Sequence, residues 1–516
     1  MATRIASLGI AEPKAGLAAA AAALPRWMAL LATAVAVRAV TFGNPLVAVD
    51  EQFYWVTAQR LLDGALPFVD IWDRKPVGLF LLYAPAAALG MPWGILTYQL
   101  MALACVVLTA GMIARTADRV GWSAGALPAA LLYILMLNVA DGQGGQAPVF
   151  YNLLTMGAVA LLLPRADDRD GDPVRIGRNL LAMLLIGLAL QVKYTVLFEG
   201  LFLGLWLLRR ESVLGANLHH VARRGLGYAG MAMLPTLLAA GAYAWLGHFD
   251  AWAYANFGSI LDRRSDPFID LVGAFFEVMV PLAPLLVLSG LGWARMRRAG
   301  GPSAAEGLLL GWLVAAMVGL LVFGSWFPHY ALPAMVPGSL CCAGFFAQDR
   351  IGRRIVAPVL LAVALIAGTI CVLAAQVKRG SAAQLATIAD AIGRGPGCLY
   401  VQSGDSMLYG ATGRCALSPW LFPSHLSRER ENGALGVDQI AEVDRIFAQR
   451  PAVVVMRTPF RGERLAVRAH VQRYLHRLGY ASRGTYWMGT VPTTVYAAPE
   501  MSSTTAPPRR AASKPA

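Results

Sequence analysis

Between Trp27 and about Ala375, apolar runs of about 18 to 22 residues recur with only short polar breaks between them. A soluble chain would show a charged helix face every few residues, and this one shows none until about residue 376. Most of the runs are long enough to cross roughly 30 Å of hydrocarbon as a helix. The runs fall at about 27–45, 95–117, 123–140, 147–164, 179–192, 194–208, 226–247, 271–294, 305–324, 330–347 and 355–375, and they predict eleven transmembrane helices. Residues 77–91, VGLFLLYAPAAALGM, form one more apolar stretch. Counting it as a span would put Arg115 and Arg119 outside and set every later loop against its charge, so it reads as a short helix at the outer membrane face.

Past residue 376 the pattern becomes that of a soluble unit. GCLYVQ, AVVVMR and TTVYAA read as strands, and 382–393, 437–449 and 464–478 as amphipathic helices beside them. The last residues, MSSTTAPPRRAASKPA, lack apolar periodicity and read as disordered. The fold class is therefore an all-α polytopic membrane protein with a small C-terminal α/β domain. Its expected parts are a segment at 1–26, a membrane domain at 27–375 whose first outer loop is 46–94, the α/β domain at 376–500, and a tail at 501–516.

Composition supports the membrane reading and adds an orientation. The chain is 57% hydrophobic and only 14% charged, with a positive mean hydropathy. Its formal charge of +14 sits in short clusters between the runs, such as Arg209-Arg210, Arg295–Arg298 and Arg350–Arg354. Clusters of this kind hold loops in the cytoplasm, whereas a nucleic-acid binder gathers its bases on one soluble unit, so no nucleic acid is expected as partner. The sparsely basic loops 46–94, 141–146, the turn at Lys193, 248–270 and 325–329 then face the other side together with the C-terminal domain. The expectation is a bacterial inner-membrane protein with a cytoplasmic N-terminus and an uncleaved first helix. Cys105, Cys341, Cys342 and Cys371 lie in apolar runs as small hydrophobes. Cys398 and Cys415 lie in the soluble unit, where a disulfide and two reduced thiols both remain open.

The charge that breaks this economy is in VDEQFYWVTAQRLLDGALPFVDIWDRKP, residues 49–76, directly after the first run. Taken alone, Asp50 reads as the N-cap of a helix that Gly64 ends. With Glu51 beside it at the outer rim of the bilayer, desolvation can instead raise a carboxylate pKa, and a positioned carboxylate can take a proton from an acceptor hydroxyl. Asp70, Asp73, Arg74 and Lys75 follow before the chain returns to the bilayer. They read either as a solvated loop or as charges held near lipid phosphates.

The same segment resembles the first extracytoplasmic loop of the GT-C membrane glycosyltransferases. The resemblance is to glycosyltransferase family 39 and its relatives, the group holding protein O-mannosyltransferases and the bacterial aminoarabinose and galacturonic acid transferases of lipid A. It rests on the order Asp50, Glu51, Tyr54, Ala58, Leu61, Gly64, Pro67, Phe68, Asp73, Lys75 and Pro76. GLALQVKYTVLFEG, ending a span at Lys193, and SWFPHYALPAMVP, with His329 and Tyr330, resemble later parts of the same family. Arg74 departs from the glutamate of the aminoarabinose enzymes, and Val77 replaces a second proline. The loop ADGQGGQAP holds only Asp141, where oligosaccharyltransferases of the wider class place paired acids for a divalent metal. With one acid a hard-metal cage is poorly supplied, so no metal and no other cofactor is expected.

What the resemblance implies is transfer of a sugar from a polyprenyl-phosphate donor to a lipid, glycan or protein acceptor outside the cytoplasm, by a single inverting displacement. Asp50 would be the general base and Glu51 would orient the acceptor or sugar. Lys75, Lys193, His329 and Arg38 would stabilise charge on the departing phosphate, and Tyr54, Asp73, Asp141 and Tyr330 complete the expected binding set. Blander roles stand beside these: an interfacial anchor for Lys193, an aromatic girdle of Trp326, Phe327, His329 and Tyr330, and pairing with Asp50 for Arg38. Arg263 and Arg264 read as a solvated loop before they read as holders of an acidic acceptor. A transporter and an O-antigen ligase or polymerase are the rival functions. A transporter breaks its helices near the midplane and places its charges there, whereas these acids cluster in one outer loop.

Overall fold

A computed structural model describes residues 13–165, 168 and 172–499. The proposed disordered tail at 501–516 and the start of the N-terminal segment lie outside these residues. Eleven helices coincide with the eleven apolar runs: α1 (Pro13–Arg38), α4 (Trp93–Arg119), α5 (Ser123–Leu137), α6 (Ala147–Leu162), α7 (Pro173–Leu190), α8 (Leu197–Val213), α9 (Leu218–Trp245), α12 (Phe268–Arg298), α13 (Ala304–Phe323), α14 (Leu332–Gln348) and α15 (Ala357–Arg379). Among the described residues, eight helical segments are long and apolar enough to cross a membrane by length and composition. The protein is a multi-pass membrane protein. The first run ends sooner than expected, at Arg38 instead of 45, followed by a 3-10 turn over Ala39–Thr41. Gly43 at φ 77° and Pro45 then turn the chain out of the helix path.

Burial sorts the spans into a centre and a rim. The α14 segment is 83% buried, whereas α9 is only 17% and the α12 and α15 segments 22% buried. Leu237, Leu238, Val280, Ile366 and Ile370 point outward from those three rim helices. Apolar side chains exposed around a helix are stable only against lipid tails. Inside, helices meet backbone to backbone where a side chain would not fit. A Cβ on Gly125 would lie 2.2 Å from the Ala343 carbonyl, and one on Gly187 would lie 2.4 Å from the Ala232 carbonyl. Small residues let spans approach this closely, and dispersion then replaces the missing hydrophobic drive. Several of the basic clusters read as loop charges are fastened to helix ends: Arg175 donates to both oxygens of Glu211 at 2.9 Å, and Arg295 to Asp349 at 2.6 Å.

Two shorter helices sit between the first span and α4. They are α2 (Val49–Leu62) and the apolar α3 (Val77–Ala87), and the two pack together. Asp63 and Gly64, the latter at φ 94°, end α2 as its sequence suggests. Another short helical stretch, α10 (Phe249–Ala253), a π turn at Tyr254–Gly258 and α11 (Ser259–Leu261), lies between α9 and α12.

The C-terminal unit opens with α16 (Ala382–Ile392), whose N-terminus carries a Ser381–Gln384 capping box. Its four-stranded sheet contains β1 (Leu399–Ser403), β2 (Val453–Arg457), β3 (Ala481–Met488) and β4 (Val491–Ala497) in the order β1-β2-β4-β3. β1 and β2 are parallel, and β4 runs antiparallel to both β2 and β3. The other helices are α17 (Met407–Thr412), α18 (Pro423–Ser427), α19 (Gln439–Ala448) and α20 (Leu465–Arg477). β3 went unread because ASRGTYWM is a mostly exposed edge strand, without the β-branched run that marked the other three. Cys398 and Cys415 are joined in a disulfide.

Candidate active site

α2 presents the acidic pair, and its surroundings treat the two acids differently. Asp50 is no N-cap: that position is Ala48, and no side chain caps the helix. The Asp50 carboxylate lies 3.6 Å from the Lys75 ammonium and 3.7 Å from His329 Nε2. Burial pushes this carboxyl up, but Lys75, His329 and Lys193 outweigh it and hold it below its ordinary value. The raised pKa expected for it therefore belongs to its neighbour. Glu51 is fully buried, and burial raises its carboxyl to about 7 against the pull of the Gly145 backbone and Arg38.

Glu51 lies on the side of α2 that faces the loop 141–146. Its carboxylate rests on the loop 141–146, where a Cβ on Gly144 would stand 2.3 Å from both oxygens. Only glycine lets the backbone pass that close. Tyr83 fastens the next residue, donating to the Gly145 carbonyl at 2.5 Å. Arg38 fastens the loop from below, with donors 2.7 Å and 2.6 Å from the Gly142 and Gly144 carbonyls. Arg38 is thus not paired with Asp50: it is buried, and two loop carbonyls take its terminal nitrogens. Asp141 is likewise spoken for, at 2.7 Å from Arg379. These three expected site residues support the loop behind Asp50.

The remaining expected residues do converge. Lys75 donates to Asp73 at 3.1 Å and lies over the rings of Tyr54 (5.2 Å) and Phe422 (5.8 Å). Lys193 sits over the Tyr330 ring at 4.1 Å, and Tyr330 meets His329 edge to face. Burial depresses the Lys193 ammonium to about 7, and the Asp50 charge only partly restores it. From Lys193 and Tyr330 a narrow cleft runs between α8 and α13. It is lined by Tyr151, Thr195 and Glu199 on one side and by Ala316, Gly319 and Leu320 on the other. Glu199, which accepts a hydrogen bond from the Trp312 indole, was missed by sequence reasoning. Its signal was plain, since a lone acid inside an apolar run marks a functional candidate.

The C-terminal unit closes the site from the other direction, which no sequence signal announced. Phe422 packs on Phe53 at 5.1 Å, and His425 on Trp72 at 4.8 Å. The Trp72 amide donates to the Pro419 carbonyl at 2.9 Å, and the Gln52 amide to Asp405 at 3.1 Å. Glu431 gathers Arg74 at 2.6 Å and Arg263 at 3.0 Å. Arg263 is therefore an interface residue and no part of a solvated loop. Arg264, paired with Glu429 at 3.1 Å, is the exposed one of the two.

Chemically, one ionised carboxylate, two ammonium groups and an imidazole cluster beside a cleft with an apolar wall, which Lys193 lines. No group of three His, Cys, Asp or Glu side chains suited to a metal occurs among the described residues. The Asp50 carboxylate faces Lys75, and Asp141 faces Arg379.

No protein-family model matches the chain, and no curated protein matches it in sequence. Its fold is similar to that of ArnT from Cupriavidus metallidurans bound to undecaprenyl phosphate, with a TM-score of 0.60 and 14% identity over 94% of this chain and 98% of that one. The apo state of the same protein gives a TM-score of 0.61 over the same shares, also at 14% identity. An Archaeoglobus fulgidus oligosaccharyltransferase in complex with Zn and sulfate is similar at a TM-score of 0.50 and 11% identity, over 83% of this chain and 67% of that one.

Proposed function

From a chain that has the GT-C fold, we infer a membrane glycosyltransferase that takes its sugar from a polyprenyl-phosphate donor and works on the extracytoplasmic face. One observation carries the reading: Asp50 touches Lys75 and His329 and acts electrostatically on Lys193, which lines a cleft with an apolar wall. A polyprenyl phosphate has that same division, and the ArnT structure was obtained with undecaprenyl phosphate bound. The Cys398–Cys415 disulfide supports an oxidising compartment for the C-terminal unit, and with an odd number of spans, as in the eleven-run reading, that side agrees with a cytoplasmic N-terminus.

In the reaction, the acceptor hydroxyl attacks the anomeric carbon from the face opposite the phosphate. The new C–O bond forms as the sugar–phosphate bond breaks, and the configuration inverts. Asp50, held ionised by its cations, receives the hydroxyl proton, an assistance that typically contributes 10²–10⁴-fold. A carboxylate this well stabilised is a modest base, which suits a hydroxyl that becomes acidic only as the bond to carbon forms. Lys75 and Lys193 bring positive charge to the departing phosphate, and His329 stands beside them. Tyr54 and Tyr330 hold the two ammonium groups through their ring faces. Glu51, Arg38 and Asp141 act at one remove by fixing the loop behind Asp50.

The test is direct. Purified protein is incubated with a panel of polyprenyl-phosphate sugars, and transfer or slow hydrolysis is followed. Asp50→Asn should reduce turnover by at least 10²-fold with insertion and melting preserved. Near-normal turnover in that variant removes Asp50 as the base, and inertness of the normal protein toward every such donor removes the donor class.

A further inference from the structure

Where the C-terminal unit meets α11 and the first outer loop, cations outnumber the acids that face them. Glu431 serves Arg74 and Arg263 and lies 3.6 Å from Arg430. Asp266 takes Arg430 at 2.9 Å, Glu463 takes Arg468 at 2.8 Å, and Asp405 accepts from Gln52. Asp405 and Glu463 act on Arg457, and Asp266 and Glu431 on Arg428, only through their charge: neither guanidinium has a carboxylate in hydrogen-bond contact among the described residues. Arg428 and Arg457 lie over one ring, Phe460, at 5.2 Å and 4.0 Å. The Nε atoms of both are buried without a hydrogen-bond partner among the described residues. Burial, reinforced by Arg430 and Arg457, depresses Arg428 to about 10.

An unpartnered N–H on a buried charged group is costly, and the folded chain holds two on a shared aromatic platform. Guanidinium forks in this setting match the paired oxygens of an anion such as a phosphate. The position also has meaning. Arg430, which neighbours the pair, lies over Phe327 at 5.0 Å, and Phe327 stacks on His329 of the candidate site.

We propose that Arg428 and Arg457, on the ring of Phe460, form a binding site for a phosphate group at the outer lip of the candidate active site. On the glycosyl-transfer reading the molecule bearing that phosphate is the acceptor, but phosphate capture itself does not depend on that reading. The test uses the full chain in phosphatidylcholine nanodiscs titrated with inorganic phosphate by calorimetry. Arg428→Gln with Arg457→Gln should weaken binding at least tenfold, while Arg473→Gln, an exposed charge elsewhere on the unit, should leave it unchanged. Phosphate binding unchanged in the double variant overturns the proposal. If the double variant does not fold, Arg428→Lys and Arg457→Lys decide the matter, since each keeps the charge and loses the fork. Weaker binding at an unchanged melting temperature then supports the site, and equal binding in both overturns it. Adding phosphatidic acid to the discs separates the sources: competition assigns the phosphate to a lipid headgroup, and its absence assigns it to a soluble molecule, with the site standing in either case.

Discussion

Lys193 and Glu51 are buried groups whose charges titrate near neutrality, and they pull in opposite senses. Lys193 must be protonated to meet a phosphate, yet in the free protein its ammonium is held at about 7. The kcat/KM for donor, which reports the free enzyme, should therefore fall as pH rises above about 7. Lys193→Arg should abolish that alkaline decline, and a decline that persists unaltered in it shows another group to be responsible. For Glu51 the sign runs the other way. Its folded pKa of about 7 exceeds the ordinary 4.5, so between those values the folded chain keeps a proton that the unfolded chain has lost. The stability this contributes is complete below pH 4.5 and is lost as pH rises through 7, by about 3 kcal/mol in all. Melting temperatures of Glu51→Gln and the parent should accordingly diverge from pH 5 to pH 8 in the variant's favour. Parallel curves would show that Glu51 is ionised in the fold. Which residues form the site was partly legible in sequence. Asp50, Lys75, Lys193 and His329 stood out as outward charges in a chain that spends few. Where Arg38 and Asp141 direct their charges was not legible, because their partners, the loop carbonyls and Arg379, are chosen by tertiary packing over about a hundred residues or more.

Among elements, α2 matters most, since it is buried nearly all round between α3 and the C-terminal unit. A helix with only a weakly apolar sequence is buried this way only when a second body covers it. That covering is fixed at Glu431, whose side chain is only 4% exposed and joins the first outer loop to the α11 region. Removing the acid from a buried pair typically costs about 3–5 kcal/mol, since its cations stay behind. Glu431→Gln should lower the melting temperature strongly and, by releasing Arg74 beside Lys75, raise KM for the donor more than it lowers kcat. A melting temperature within a degree of the parent would show the cluster to be solvated and of little weight. The eleven long runs were readable because lipid demands uniform apolarity along a fixed length. The contacts of the C-terminal unit with α2 rest on Phe422, His425 and Glu431, which carry no periodic signal and mean nothing until the chain has folded.

At the scale of the whole molecule, the ceiling over the first outer loop governs how substrates arrive. With the C-terminal unit packed over the first outer loop, and the cleft at Lys193 lying between α8 and α13, the glycosyl-transfer reading predicts that a lipid donor reaches the carboxylate in the plane of the bilayer. Encounter then becomes a two-dimensional search, in which crowding within the sheet of lipid counts and the volume of water around it does not. Diluting the donor with inert phospholipid, at constant total amount, should slow the enzyme in proportion. Diluting the vesicles in buffer should leave the rate per enzyme untouched, and a rate that instead followed bulk concentration would mean the ceiling lifts. A transferase of this build would be tuned by the richness of its membrane in carrier lipid, and so would sense the supply of its own fuel without any separate regulatory part.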